Sequence, residues 1–248
     1  MNEIVSFGSD FELSSEIKVF VKSAKRCCDK LTVMLLKKNK SLVDFLTQEG
    51  VNIVDAQAIM NERKVSPQLS PYTMKTVFFY LYAKYYTESE QLYLCDLTDM
   101  LIQRSPFELI TTDKAYVTSE NYKIGNCKTN MTWLQICYDS TILNLLKDKE
   151  ILNGGSILGK RKACVYLLSE MMLDIASIIP RTNNYPVIDQ AVLNKVVYFD
   201  QFNYVILRNH EIVNLAYSSS MTDFSKSYVV HQYDVNKQLE AMLYDKYK

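Results

Sequence analysis

The sequence predicts an α/β fold in which a mixed, mainly parallel central sheet is flanked by helices. Short apolar runs alternate with amphipathic segments through the first hundred residues, the pattern of strand and helix units that build a parallel sheet. Hydrophobic residues make up 48% of the 248-residue chain, enough for a sizeable core. No glycine- or proline-rich linker divides it, so residues 1–248 are expected to form one domain.

Each element has a local cause. Ile4 to Phe7 reads as a first strand, and Ser14 to Lys25 as a helix with Ile17, Phe20, Val21 and Ala24 on one face. Leu31 to Leu36 is the second strand. Ser41 is positioned to cap the next helix, Asp44 sits in its first turn, and Gly50 ends it before a strand over Val51 to Val54. Ser70-Pro71 opens a long helix reaching about Tyr86, because serine caps well and proline is tolerated in the first helical position. Gln91 to Cys95 is apolar enough for a central strand. Together these units make a Rossmann-like N-terminal half. Beyond residue 110 the alternation fades, and the remainder is expected to supply partly antiparallel strands and covering helices.

Composition narrows the function classes. Lys+Arg and Asp+Glu are both 28, so no net basic field exists to hold nucleic acid. Six cysteines lack the spacing of a zinc cluster or a disulfide framework and read as reduced, mostly buried thiols. The N-terminus lacks a basic and then apolar signal, which points to the cytoplasm. Glu170 and Asp174 interrupt the longest apolar segment, Ala163 to Ile179, and with Ser177 they share one helical face. A half-buried helix is expected there, not a membrane span, which leaves room for peripheral membrane contact only. Aromatic rings with a polar tip, such as the 18 tyrosines, suit core edges and sugar-binding surfaces alike.

Four constellations could carry chemistry. Asp96 and Asp99 follow the strand over Gln91 to Cys95, where a parallel sheet normally offers its ligand site. Three residues apart, they reach one cation only if the chain turns just after Cys95; the competing reading is an aspartate that caps a helix. Three of the six glycines fall within Ile151 to Gly159, which allows either close backbone approach to a ligand beside Asn153 or a tight hairpin. No phosphate-binding loop signature follows. Asp189-Gln190 begins a helix after Pro186, where Asp189 either caps the helix or faces a ligand. His231, one of only two histidines, ends an apolar run and is either a satisfied structural side chain or a third ligand beside the two carboxylates.

The order of these features resembles that of the GT-A glycosyltransferases, especially the retaining, glycogenin-like galactosyltransferase group. That group shows an Asp-x-Asp at a strand end, an Asn-Ser-Gly segment, Asp-Gln followed by Leu-Asn, and a late histidine. Asp96 to Asp99, Asn153-Gly154-Gly155, Asp189-Gln190 with Leu193-Asn194, and His231 look like the counterparts. Asp96-Leu97-Thr98-Asp99 with Gln103 and Pro106-Phe107, plus His231-Gln232-Tyr233-Asp234, is also similar to an uncharacterised group of bacterial and large-virus glycosyltransferases. The chain departs from both: its acidic motif is Asp-x-x-Asp, and Thr98 stands where the second group has arginine.

The resemblance implies a GT-A type domain, with 1–110 as the nucleotide-binding half and 111–248 as the acceptor-side half. It implies transfer of a hexosyl or deoxyhexosyl group from a nucleotide-sugar donor, UDP-linked, to a glycan or polysaccharide acceptor, with Mn²⁺ or Mg²⁺ as cofactor. Asp96, Asp99 and His231 would hold the metal, and Asp96 would also reach the ribose. Phe7 to Asp10 would hold the base and Lys75 the diphosphate, while Asn153, Gly155, Asp189 and Gln190 would face donor sugar and acceptor. Two rivals compete with this reading: a noncatalytic carbohydrate-binding or scaffold protein, and a sugar nucleotidyltransferase. The second would carry a glycine-, lysine- and arginine-containing loop after the first strand, which Phe7-Gly8-Ser9-Asp10-Phe11 is not.

Overall fold

The computed structural model describes residues 1–182, 187–200, 203–208, 210–217 and 224–248; Pro186, expected to precede a helix, lies outside them. The chain begins β1 (Asn2–Gly8), α1 (Ser15–Ala24), β2 (Lys30–Leu35), α2 (Lys40–Gln48), β3 (Asn52–Asp55), α3 (Ala56–Arg63), α4 (Pro71–Tyr85), β4 (Gln91–Cys95) and β5 (Met100–Ile102). It continues through β6 (Ala115–Lys123), α5 (Lys128–Cys137), α6 (Ser140–Leu146), β7 (Glu150–Lys160), α7 (Arg161–Ile178) and α8 (Asp189–Phe199). The last elements are β8 (Tyr204–Leu207), β9 (Ile212–Asn214), β10 (Val229–His231) and α9 (Lys237–Lys246). The main sheet has the order β3-β2-β1-β4-β7-β6-β8, and only β7 runs against the rest. A second, three-stranded sheet has the order β5-β10-β9.

Strict alternation builds the core on both sides of the main sheet. Val5, Leu92 and Leu94 point into one cluster with α4, α7 and α8, while Ile4, Tyr93 and Cys95 point into another with α1 and α2. Such a strand reads as a continuous apolar run, which is why β4 was legible to its ends. Ser70 caps α4, its hydroxyl accepting from the Thr73 N–H at 3.2 Å, an interaction worth about 1 kcal/mol. Gly50 closes α2 at φ +69°, with Val51 N–H bonded to the Leu46 carbonyl and Gly50 N–H to that of Thr47.

Two local expectations are corrected. The cap of α2 is Asn39, not Ser41: the Asn39 side chain accepts from the N–H groups of both Ser41 and Leu42. The glycine-containing segment is no hairpin but one 11-residue strand, β7, paired on both edges. Helix α3 was not anticipated; Asp55 caps it through the Ala58 N–H, and only Ala56 and Ile59 are buried.

Among the described residues one segment, Arg161–Arg181, is long and apolar enough to cross a membrane by length and composition. Here it is half-buried: Cys164, Leu167, Leu168, Met171, Ile175 and Ile178 pack into the core, and Asp174 bonds Tyr138, just past α5, and Lys195 of α8. The six cysteines are free thiols, four of them buried.

Candidate functional site

Strands β2 and β3 lie to one side of β1 and β4 to the other, so the chain switches direction at β1 and a crevice opens beyond the carboxyl ends of β1 and β4. Asp96 is the first residue past β4, and its N–H donates to the Gly155 carbonyl at 3.2 Å. The turn that two ligands three apart require is present: Asp99 adopts φ +52°, a left-handed conformation that aspartate tolerates better than most residues. From there β5 runs antiparallel to β10, setting Met100 opposite His231. Gln232, also left-handed at φ +59°, donates its N–H to the Asp99 carbonyl at 2.8 Å. These paired turns bring His231 Nε2 to 3.6 Å from both Asp96 Oδ2 and Asp99 Oδ2.

That separation is too long for a hydrogen bond. It suits a shared cation, because bonds of about 2.1 Å in an octahedral site set neighbouring donors roughly 3 Å apart. One ligand atom from each of the three residues lies within 4.8 Å of the others. The imidazole is oriented for the task. Asn214 Nδ2 donates to the Ser119 carbonyl at 3.1 Å, which turns Asn214 Oδ1 toward His231 Nδ1 at 2.8 Å. An oxygen there requires Nδ1 to carry a proton, so neutral His231 aims the lone pair of Nε2 at the carboxylates. Oxygen and imidazole donors of this kind fit a hard or borderline divalent cation.

The charges are tightly coupled. Burial opposes ionisation of Asp96, yet Lys75 and His231 hold its carboxyl far below the usual range. Lys75 Nζ lies 2.5 Å from Asp96 Oδ1 with its side chain buried. Burial, joined by the Asp96 and Asp234 carboxylates, pushes Asp99 up to about 7 against the pull of His231. Burial favours neutral His231, but Asp99 and Asp96 raise its pKa. Such a cluster concentrates negative charge that either protons or a divalent cation neutralise.

The wall beside the cluster is an irregular stretch of β7. Its register with β6 jumps between Val117↔Ile157 and Thr118↔Asn153, so residues 154–156 bulge from that edge. Glycine is required at 155, where a Cβ would clash with the Asp96 carboxylate, whereas a Cβ on Gly154 would make only a tight contact, 3.3 Å from Asp189 Oδ2. Asn153 accepts from Gly155 N–H at 2.7 Å and donates to Glu120 Oε1 at 2.8 Å. Gln190 accepts from Gly154 N–H at 2.9 Å and donates to Asn130 at 3.0 Å. Asn194 clasps the N–H and carbonyl of Leu152. Asn153, Gln190 and Asn194 therefore shape the bulge. Asp189, in the first turn of α8, is buried and its Oδ1 has no partner among the described residues. Burial raises its pKa, with Lys75 opposing.

Two clefts meet at the cluster. One, of about 400 Å³, is lined by Phe7, Asp10 and Phe11; the other, of about 360 Å³, by Glu120, Trp133, Asn153, Gly155, Asp189 and Gln190. They share Tyr72, Lys75, Asp96 and Asp99, so Phe7, Asp10, Lys75, Asp96, Asp99, Asn153, Gly155, Asp189, Gln190 and His231 each line one cleft or both, whereas Gln103, Phe107, Asn194 and Asp234 line neither. Phe7 is mostly a core ring, stacked on Phe78 at 5.0 Å, and Asp10 is exposed and paired with Lys37. Sequence reasoning missed Glu120, Asn130, Trp133 and Asn214. No local motif marks them; only the register of β6 and β9 and the packing of α5 on α8 bring them in.

A Rossmann-like sheet with a switch-point crevice defines an open α/β protein, and its particular fold is GT-A. The chain is similar to the solved apo structure of the WbbM bifunctional glycosyltransferase, at 15% identity and a TM-score of 0.59 over 92% of this chain, and it spans 45% of that one. It is similar also to the galactosyltransferase LgtC in complex with donor and acceptor sugar analogs, at 12% identity and a TM-score of 0.61 over 98% of this chain and 95% of that one. No protein-family model and no curated protein sequence matches.

Proposed function

We propose that the protein is a metal-dependent glycosyltransferase. It transfers a hexosyl or deoxyhexosyl group from a nucleotide sugar, UDP-linked, to a glycan or polysaccharide acceptor in the cytoplasm, retaining the anomeric configuration. The observation that carries this reading is the convergence of Asp96, Asp99 and His231 between two adjoining clefts at the carboxyl ends of β1 and β4. The GT-A fold shared with two transferases and the glycogenin-like order of motifs support it.

Residues 1–110 form the nucleotide-binding half, in which Phe7, Ser9 and Asp10 line the cleft for the base and Asp96 reaches the ribose. Asp96, Asp99 and His231 would hold Mn²⁺ or Mg²⁺, which neutralises charge on the departing diphosphate. Lys75, buried against Asp96, adds a fixed positive charge at the same point. Residues 111–248 form the acceptor-side half. There Gly155 admits the donor sugar close to the backbone, and Asn153 and Gln190 hold the bulge in shape. Asp189 Oδ1, without a partner among the described residues, accepts a sugar hydroxyl. With retention, the leaving phosphate takes the acceptor proton and no strong base is needed.

Asp99→Ala tests the assignment. Transfer should fall about 100-fold or more, as when a preorganised electrostatic group is removed, while the circular dichroism spectrum stays unchanged. An unaltered rate in a folded variant would refute the metal site.

A further inference from the structure

The second cleft contains a feature that metal and donor binding do not use. Trp133, the only tryptophan in the chain, stands half-buried on α5 one turn beyond Thr129 and Asn130, and all three line that cleft. Residues four apart share a helix face, so the indole lies above Thr129. The α5 wall is fixed relative to the metal cluster, because Asn130 accepts from Gln190, which in turn accepts from the N–H of Gly154, next in the chain to the Gly155 that abuts Asp96. The same cleft presents buried carboxylates: Asp189, whose Oδ1 has no partner among the described residues, and Glu120, which takes a hydrogen bond from Asn153.

A broad aromatic face together with buried carboxylate acceptors is the chemistry that recognises a sugar ring. The hydroxyls on the ring edge donate to carboxylates, and the apolar C–H face lies on the indole. The order of the clefts decides which sugar. The cleft with Phe7 and Asp10 meets the other only at Tyr72, Lys75, Asp96 and Asp99, so a donor laid from base to diphosphate ends at the metal cluster. Trp133 belongs only to the cleft beyond it. We infer that Trp133 is the stacking platform for a pyranose ring of the acceptor, which makes the acceptor a saccharide terminus and not a polypeptide hydroxyl or a lipid alcohol; this rests on the glycosyltransferase reading above.

A sole tryptophan makes its own reporter. Emission of the whole protein is titrated with the methyl glycosides of glucose, galactose, mannose and N-acetylglucosamine, with and without UDP and Mn²⁺, and with sorbitol as a polyol that has no ring face. At least one glycoside should shift or quench the emission saturably, and sorbitol should not. Trp133→Ala should then raise KM for that glycoside about ten-fold or more while changing kcat far less, and Trp133→Phe should recover part of the loss. If no glycoside moves the emission although UDP and Mn²⁺ stabilise the protein against heat, the stacking platform is wrong and the transferase reading stands. If UDP and Mn²⁺ also fail to stabilise it, the transferase reading falls and the platform with it. An equal response to sorbitol overturns the platform in either case.

Discussion

At the residue scale, the candidate metal centre depends on a side chain that touches no metal. Asn214 and His231 are register partners on β9 and β10, so they project side by side. The Ser119 carbonyl fixes the Asn214 amide, the amide fixes the imidazole proton on Nδ1, and Nε2 is left for the carboxylates. Asn214→Ala removes that control. Partners of this kind typically contribute 10- to 100-fold in metal affinity, so Mn²⁺ binding measured by calorimetry should weaken by about that factor. Asn214→Asp keeps an oxygen opposite Nδ1 and should bind within a few-fold of the parent. Equal Mn²⁺ affinity in Asn214→Ala would show that the tautomer is set by something else.

At the element scale, what was legible depended on whether a signal was local. Strand β4 was read to its exact ends because both of its faces are buried, and α4 was announced by Ser70-Pro71. The cap of α2 was misread because Asn39 and Ser41 are both good caps and only the backbone geometry decides which one reaches two N–H groups. Helix α3 carries only two buried side chains, too few for a periodic pattern. Strand β9 is three residues long, below the length at which alternation is visible, whereas the equally short β10 was legible as the apolar run that His231 ends. In the site, Asp96, Asp99, Asp189 and the glycines were legible because each stands next to an element boundary or in a compositional cluster. Glu120 and Asn214 were not, because only strand pairing far along the chain makes them neighbours of Asn153 and His231.

At the scale of the whole molecule, the two ends of the main sheet have separate tasks. The carboxyl end of β1 opens onto the clefts. Near its amino end Glu3 is completely buried, accepting from Thr32, Tyr82, Thr87 and Ser89 at 2.5 to 2.7 Å and lying 3.0 Å from Lys30. Burial alone would raise its pKa, but the hydroxyl donors outweigh burial and hold it below the usual 4.5. A carboxyl with a depressed folded pKa stabilises fully above its unfolded value, and the contribution is lost as pH falls through the folded one. Glu3→Gln should therefore cost about 2 kcal/mol at neutral pH, with the Lys30 pair discounted because that side chain is 30% exposed. Urea unfolding as a function of pH should show parent and variant converging below pH 4.5, and parallel curves would contradict this role. The clefts at the other end carry the central claim, that Asp96, Asp99 and His231 bind a divalent cation together with a nucleotide sugar. The most direct test is thermal unfolding with a panel of nucleotide sugars, each with Mn²⁺ and again with chelator. At ligand near 100 times its dissociation constant, binding adds about 2.7 kcal/mol, so one donor class should raise Tm by roughly 5 to 10 °C with Mn²⁺ and not with chelator. A Tm that no donor moves, or that moves equally with chelator, would contradict it.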